Sequence, residues 1–300
     1  MLTLILVLIL ILFLAYFSVV NFIGPSIILK PKQKNFLVDG KVITSPLDLG
    51  LKYEEVEIKS FDGTILKGWL IQAKTDPVGS VIYIHGTYTN KAFGLKRAKF
   101  LSEAGYNVLL VDLRYHGESG GEFCTYGYLE KFDISDWISF LLKRFPDVPV
   151  ALFGVSLGGA VAIQTAGIDN RVNAIVSEGS FANFSDLVFE HQEKKFKFAS
   201  KFLTGKVLKN VERIAGFKIS DIAPLEYVKK ISCPILYIHG KNDETVKPWH
   251  SIVLHRYTLK GELILVDGAG HVNSWEVLGD KYEEKIIEFL RKNCNKNKIS

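Results

Sequence analysis

The stretch FGVSLGGA at 153–160 sets Gly154, Ser156 and Gly158 in a GxSxG frame. Such a frame has chemical content when a strand runs into it and a helix leaves it. The serine then sits on a tight turn at the sheet edge, and a Cβ on either glycine would clash with the strand or the helix. Both conditions hold here: the apolar run Val150 to Phe153 precedes Ser156 and a helical pattern, Leu157 to Ile168, follows it. Ser156 is therefore read as a nucleophile rather than a loop serine.

A serine hydroxyl is a weak nucleophile until a base takes its proton, so a histidine must reach it. Of the seven histidines, His271 in VDGAGH follows the last strand-like run, in a loop of small residues that lets an imidazole reach back over the sheet. His85 and His239 each precede a glycine at a strand end and are expected to pack or hydrogen-bond locally. His116 is expected to shape its loop, and His191, His250 and His255 fall on helices or in an insertion, as ordinary surface or satisfied histidines. The histidine needs an acid to fix its tautomer. Asp243 in HGKNDETV supplies it in the chain order Ser, Asp, His, with Glu178 as the alternative. The oxyanion of an acyl transfer needs two backbone donors. They are expected from Leu157, next after the nucleophile, and from Thr87 in the loop HGTYTN; the Thr87 hydroxyl reads either as a further donor or as a plain surface threonine.

These residues need a scaffold that gathers strand ends. Two strand-like runs, Glu55 to Lys59 and Ile65 to Gln72, are joined through SFDGT, whose Asp62-Gly63 is a hairpin signal. Nearly all-apolar runs follow at 81–84, 106–111, 150–153, 172–177, 235–238 and 263–266, as buried parallel strands require. Helical patterns fill the gaps, notably 90–103, 129–144, 157–168 and 275–290. Strand and helix in alternation predict one open, mostly parallel sheet covered on both faces, with its site at the carboxyl ends of the strands. The tetrapeptide YIHG, at 83–86 and again at 237–240, marks two such ends within one sheet rather than a duplication.

The chain has 300 residues, 48% of them hydrophobic, a net charge of +5 and three scattered cysteines. That composition is globular, excludes a disulfide framework and argues against a nucleic-acid partner. Neither HExxH, a P-loop nor GxGxxG after a strand occurs, so no metal or cofactor is expected. The run Leu2 to Ile23 is uncharged and spans about 33 Å as a helix, enough for a hydrocarbon core of about 30 Å. It lacks the positive n-region and the cleavage site of a signal peptide, so 1–23 reads as a single-pass membrane anchor, 24–51 as a juxtamembrane linker and 52–300 as the main domain. Lys30, Lys32 and Lys34 follow the run, which places the main domain in the cytoplasm.

The segments YIHGTYTN, DLRYHGESGGEF, FGVSLGGAVA, IHGKNDETV and GAGH, in this order, resemble the α/β-hydrolase superfamily, and within it the serine-aminopeptidase-like and BEM46-like branch with an N-terminal membrane helix. The resemblance covers about 52–292. It implies an α/β-hydrolase fold, a triad of Ser156, Asp243 and His271, and oxyanion donors at Thr87 and Leu157. It says little of substrate, since that branch resembles esterases, lipases, thioesterases and peptidases alike. The expected activity is hydrolysis of an ester-type acyl bond in a small-molecule or lipid substrate. The alternatives are a peptidase or thioesterase on the same residues, or a silent, membrane-tethered binding module. An insertion at about 181–220 breaks the alternation and reads as a helical cap. Eight of its residues are basic (Lys194, Lys195, Lys197, Lys201, Lys206, Lys209, Arg213 and Lys218) against four acidic ones. Phe181, Phe184, Phe189, Phe196, Phe198 and Phe202 are interleaved. The cap is expected either to turn its aromatic face to the site and its basic face to anionic lipid, or to be an ordinary lid with solvated lysines.

Overall fold

The computed structural model describes residues 1–34, 37–38, 41–196 and 200–298. The chain begins as helix α1 (Leu2–Ser18), widens into a π-helical turn (Val19–Ile23) and continues as α2 (Gly24–Leu29). The helix thus runs past residue 23, where the apolar run was expected to end. Pro25 has no N–H to offer, and the Gly24 N–H bonds back five residues to Val19 O, so the ladder slips by one residue. The Val20 carbonyl is instead picked up by Asn210 Nδ2 at 3.1 Å, 190 positions away. At the end of α2, Ile28 O accepts from the Tyr126 hydroxyl and Leu29 O from the Cys124 N–H, both at 2.9 Å. Residues 1–17 are exposed, while Val20, Pro25 and Leu29 are buried.

Strands β1 (Leu37–Val38) and β2 (Lys41–Val42) form a separate small ladder. The hairpin β3 (Glu54–Lys59) and β4 (Ile65–Ile71) turns at Asp62-Gly63, where Gly63 adopts φ +89° and Asp62 Oδ1 accepts the Thr64 N–H. Six mutually parallel strands follow: β5 (Gly79–Ile84), β6 (Tyr106–Val111), β7 (Val150–Val155), β8 (Val172–Glu178), β9 (Ile235–Gly240) and β10 (Gly261–Val266). The sheet order is β10-β9-β8-β7-β5-β6-β4-β3, with β4 antiparallel to both its neighbours. Each apolar run read from the sequence is one of these strands. Strands β5 to β9 are buried on both faces, which is why their sequences do not alternate.

The helices of the main domain are α3 (Leu95–Glu103), α4 (Glu130–Arg144), α5 (Leu157–Ala166), α6 (Phe184–Phe196), α7 (Lys201–Ala215), α8 (Pro224–Val228), α9 (Trp249–Tyr257), α10 (Ser274–Leu278) and α11 (Asp280–Asn293). Ile82, Ile84 and Leu152 point to one face of the sheet, under α4 and α5. Val81, Tyr83 and Phe153 point to the other, under α3 and α11. The helix expected over 90–103 opens as a short 3-10 turn, and that expected over 275–290 is cut by Gly279 at φ +57°.

The insertion is the helix pair α6 and α7. Its aromatics do not share one face. Phe181 and Phe184 are buried in the core, whereas Phe202 is 67% exposed, because α7 turns Thr204, Val207, Leu208 and Val211 inward. Lys197 and Phe198 lie outside the described residues. Removing the Asn210 amide in Asn210→Leu leaves the Val20 carbonyl without its donor. It is expected to lower stability by about 1–2 kcal/mol, read as a lower Tm of the full chain in detergent.

Candidate active site

Strand β7 runs into Ser156 and α5 leaves it, and between them the serine is held at φ +54°, ψ −117°. That is a strained conformation for a residue with a Cβ, and it stands because the neighbours overdetermine it. The Ser156 N–H donates to Glu178 O on the adjacent strand at 2.7 Å. A Cβ on Gly154 would come within 2.1 Å of Gly158 O, and one on Gly158 within 2.0 Å of Ile84 O. Both obstacles are backbone, so strand and helix approach this closely only through glycine.

The β10–α10 loop carries His271 over the sheet edge. Its Nε2 lies 2.9 Å from Ser156 Oγ and its Nδ1 lies 2.7 Å from Asp243 Oδ2. Asp243 follows β9 and is buried. Its Oδ1 accepts the N–H groups of Thr245 and Val246, and its Oδ2 also faces His239 Nε2 at 3.3 Å. Burial pushes the Asp243 pKa up, but hydrogen bonds from His239, His271 and the Val246 N–H outweigh it and hold the carboxyl below its ordinary 3.8. The structure thus brings Ser156, Asp243 and His271 into one hydrogen-bonded row. It leaves Glu178 out of that row, because that carboxylate is taken by Arg97 Nη2, the Tyr282 hydroxyl and the Ser274 N–H.

The loop after β5 brings Thr87 into the pocket that also holds Ser156, Leu157 and His271. The Gly86 carbonyl is turned toward His85 Nδ1 at 2.8 Å and the Thr89 hydroxyl at 2.9 Å. In a trans peptide the N–H points opposite to the C=O, so the Thr87 N–H is directed away from those partners. His116 Nε2 reaches Thr87 O at 2.6 Å and fixes the next peptide as well. Leu157 opens α5, and the first N–H groups of a helix have no partner within it. His85 accepts the Leu113 N–H on Nε2, and burial followed by the nearby His116 pushes its pKa well down, which suits a neutral, local role.

Two features were not legible in the sequence. His239 backs Asp243 from behind, holding Val246 O at 2.8 Å and the Ser251 hydroxyl at 2.6 Å. His191, read as an ordinary cap histidine, lines the pocket and meets Thr245 O with Nε2 at 2.9 Å. The His191 contact joins segments 54 positions apart, and the His239 contact, though only four positions long, depends on how the loop after β9 folds back on the strand. Since the obstacle facing Gly158 is backbone, Gly158→Ala is expected to cost about 3 kcal/mol or more, seen as a large drop in Tm.

A family model for the alpha/beta hydrolase fold matches residues 79–205. The uncharacterized protein YfhR of Escherichia coli (strain K12) is 29% identical over 251 residues, 79% of this chain and 80% of that one. Protein bem46 of Schizosaccharomyces pombe is 24% identical, covering 84% of this chain and 81% of its own. Among solved structures, a crystal form of the Pyrococcus furiosus esterase Pf2001 is 25% identical with a TM-score of 0.69, covering 88% of this chain and 97% of that one. Taken with the strand order and the turn at Ser156, these likenesses show that the chain has the α/β-hydrolase fold and has BEM46-like proteins among its relatives.

Proposed function

We propose that this chain is a membrane-anchored serine hydrolase that cleaves an ester-type acyl bond through an acyl-enzyme. The observation that carries the reading is the unbroken row from Asp243 through His271 to Ser156, at 2.7 and 2.9 Å. In the first half-reaction the Ser156 Oγ–H proton passes to His271 Nε2 as Oγ bonds to the substrate carbonyl carbon. The Thr87 and Leu157 N–H groups hold the resulting oxyanion, a contribution worth about 10²–10³ in kcat per donor. As the tetrahedral adduct collapses, His271 returns its proton to the leaving alkoxide. Water, deprotonated by the same nitrogen, then attacks the acyl-enzyme and releases a carboxylic acid and free Ser156. Esters come first because an amide's poorer leaving group demands more of a site, and the likeness to the Pf2001 esterase supports that order.

In this reading residues 1–23 are the anchor, 24–51 its connection and 52–300 the catalytic domain with its cap at about 181–220. The continuous helix Leu2–Leu29 is long and apolar enough to cross a bilayer, and Lys30, Lys32 and Lys34 behind it favour a cytoplasmic catalytic domain.

Fluorophosphonate labelling of the full chain tests the nucleophile. Wild type is expected to label and Ser156→Ala to lose both labelling and esterase activity. A wild type that never labels would point to a silent binding module, and labelling that survives Ser156→Ala to another serine. Asp243→Asn is expected to lower kcat by about 10⁴, since the amide favours the wrong histidine tautomer. Stability should follow pH in a defined sense. Because the folded Asp243 pKa lies below 3.8, its contribution is present above that value and lost as pH falls through the folded pKa. The Tm gap between wild type and Asp243→Asn should therefore narrow below about pH 4; a gap that stays constant there would contradict this.

A further inference from the structure

The pocket around Ser156 and His271, about 490 Å³, has an apolar neighbour of about 310 Å³. Thr87, Tyr88, Leu187 and His191 line both, so the two meet beside the loop that carries Thr87. Beyond that loop and Tyr126, the walls of the second cavity come from three helical segments. Ile23 and Ile27 belong to the N-terminal helix, Val188 to α6, and Leu203 and Val207 to α7. Several of its polar side chains are engaged: the Thr204 hydroxyl donates to Gln192 Oε1, the Tyr126 hydroxyl to Ile28 O, and His191 meets Thr245 O. What remains is a mostly hydrocarbon-lined space that begins near Ser156 and ends against the N-terminal helix at Ile23 and Ile27.

The junction between the N-terminal helix and the cap is tight. A Cβ on Gly24 would lie 2.7 Å from Val207 Cγ1, so glycine lets the anchor pack directly on α7. On the surface, Ile27 is 53% exposed and Phe202 67%, with the exposed Lys206 over the Phe202 ring at 5.4 Å. Apolar side chains flanked by lysines suit a surface resting on lipid headgroups. A chain still immersed in the bilayer would reach the cavity along the anchor without crossing water.

We propose that the second cavity is the acyl-chain site of this enzyme, built jointly by cap and anchor, and that it takes a fatty-acyl chain delivered from the bilayer. The proposal rests on the ester-hydrolase reading above. If a methylene fills about as much space as a water, about 30 Å³, the cavity holds about ten of them, which specifies medium to long chains. The anchor is then part of the substrate site as well as a tether.

The test uses the full chain in lipid nanodiscs with two variants that fill the cavity from opposite walls, Ile27→Trp on the anchor and Leu203→Trp on the cap. For each, the ratio of kcat/KM on p-nitrophenyl dodecanoate to that on the butanoate is compared with wild type. Retained fluorophosphonate labelling at Ser156 shows that the variant is folded with its site intact. A ratio at least tenfold lower in both variants is the expected result, and a ratio within twofold of wild type in both overturns the proposal. A wild type that hydrolyses neither ester counts against the hydrolase reading alone. In that event cis-parinaric acid is titrated into the same nanodiscs. Saturable binding weakened at least tenfold by Ile27→Trp supports the cavity as an acyl site; no binding, or binding indifferent to the tryptophan, overturns it.

Discussion

The constraint on which the rest of the molecule depends is the backbone turn at Ser156. A residue with a side chain sits at φ +54° only if strand, helix and neighbouring strand all hold it there, and here they close to backbone contact through Gly154 and Gly158. The hydrogen bond from the Ser156 N–H to Glu178 O ties the turn to β8. The order of β7, β5 and β8 at the centre of the sheet follows from the same need. The serine must stand where the loops after β5, β9 and β10 converge, and only a position in the middle of a parallel sheet allows it.

Around that turn the loops are braced by buried charge. Arg114 grips Asp133 with a two-pronged pair of 2.7 Å bonds, and Lys91 is held on Asp112 beneath the loop that carries His116. Behind the site, Arg97 joins Glu178 and Tyr282 within a cage of Tyr83, Phe153, Trp275 and Tyr282 rings. Such buried pairs add little net stability over apolar packing, yet losing one partner strands a charge and is costly. Their effect is to give each loop one conformation. That serves a site whose parts come from four strand ends.

The N-terminal helix imposes a different requirement. A segment apolar enough for a bilayer must still enter a folded domain without leaving carbonyls unpaired. The chain meets this with a π-helical slip at Pro25, with Asn210 as a donor supplied from the cap, and with Tyr126 and Cys124 closing the last turn. The helix end is thereby fixed against α7 and the cap, which makes it a wall as well as a connection.

Much of this was legible in residue order, for physical reasons that are local. Runs such as VIYI and ILYI are apolar at every position because both faces of a central parallel strand are covered. Gly154 and Gly158 announce a turn that tolerates no Cβ, and the order of Ser156, Asp243 and His271 marks them as candidates for one site. Residue order could not say that Glu178 would be claimed by Arg97, 81 positions away, or that His239 would stand behind Asp243. Nor could it say that the cap phenylalanines would divide between core and surface, or that the first helix would continue to Leu29 and help enclose a cavity next to the pocket at Ser156. Local pattern reports what a residue's immediate neighbours allow. Which side chain meets which across the fold is decided by packing between distant segments, and only the tertiary structure brings those segments together.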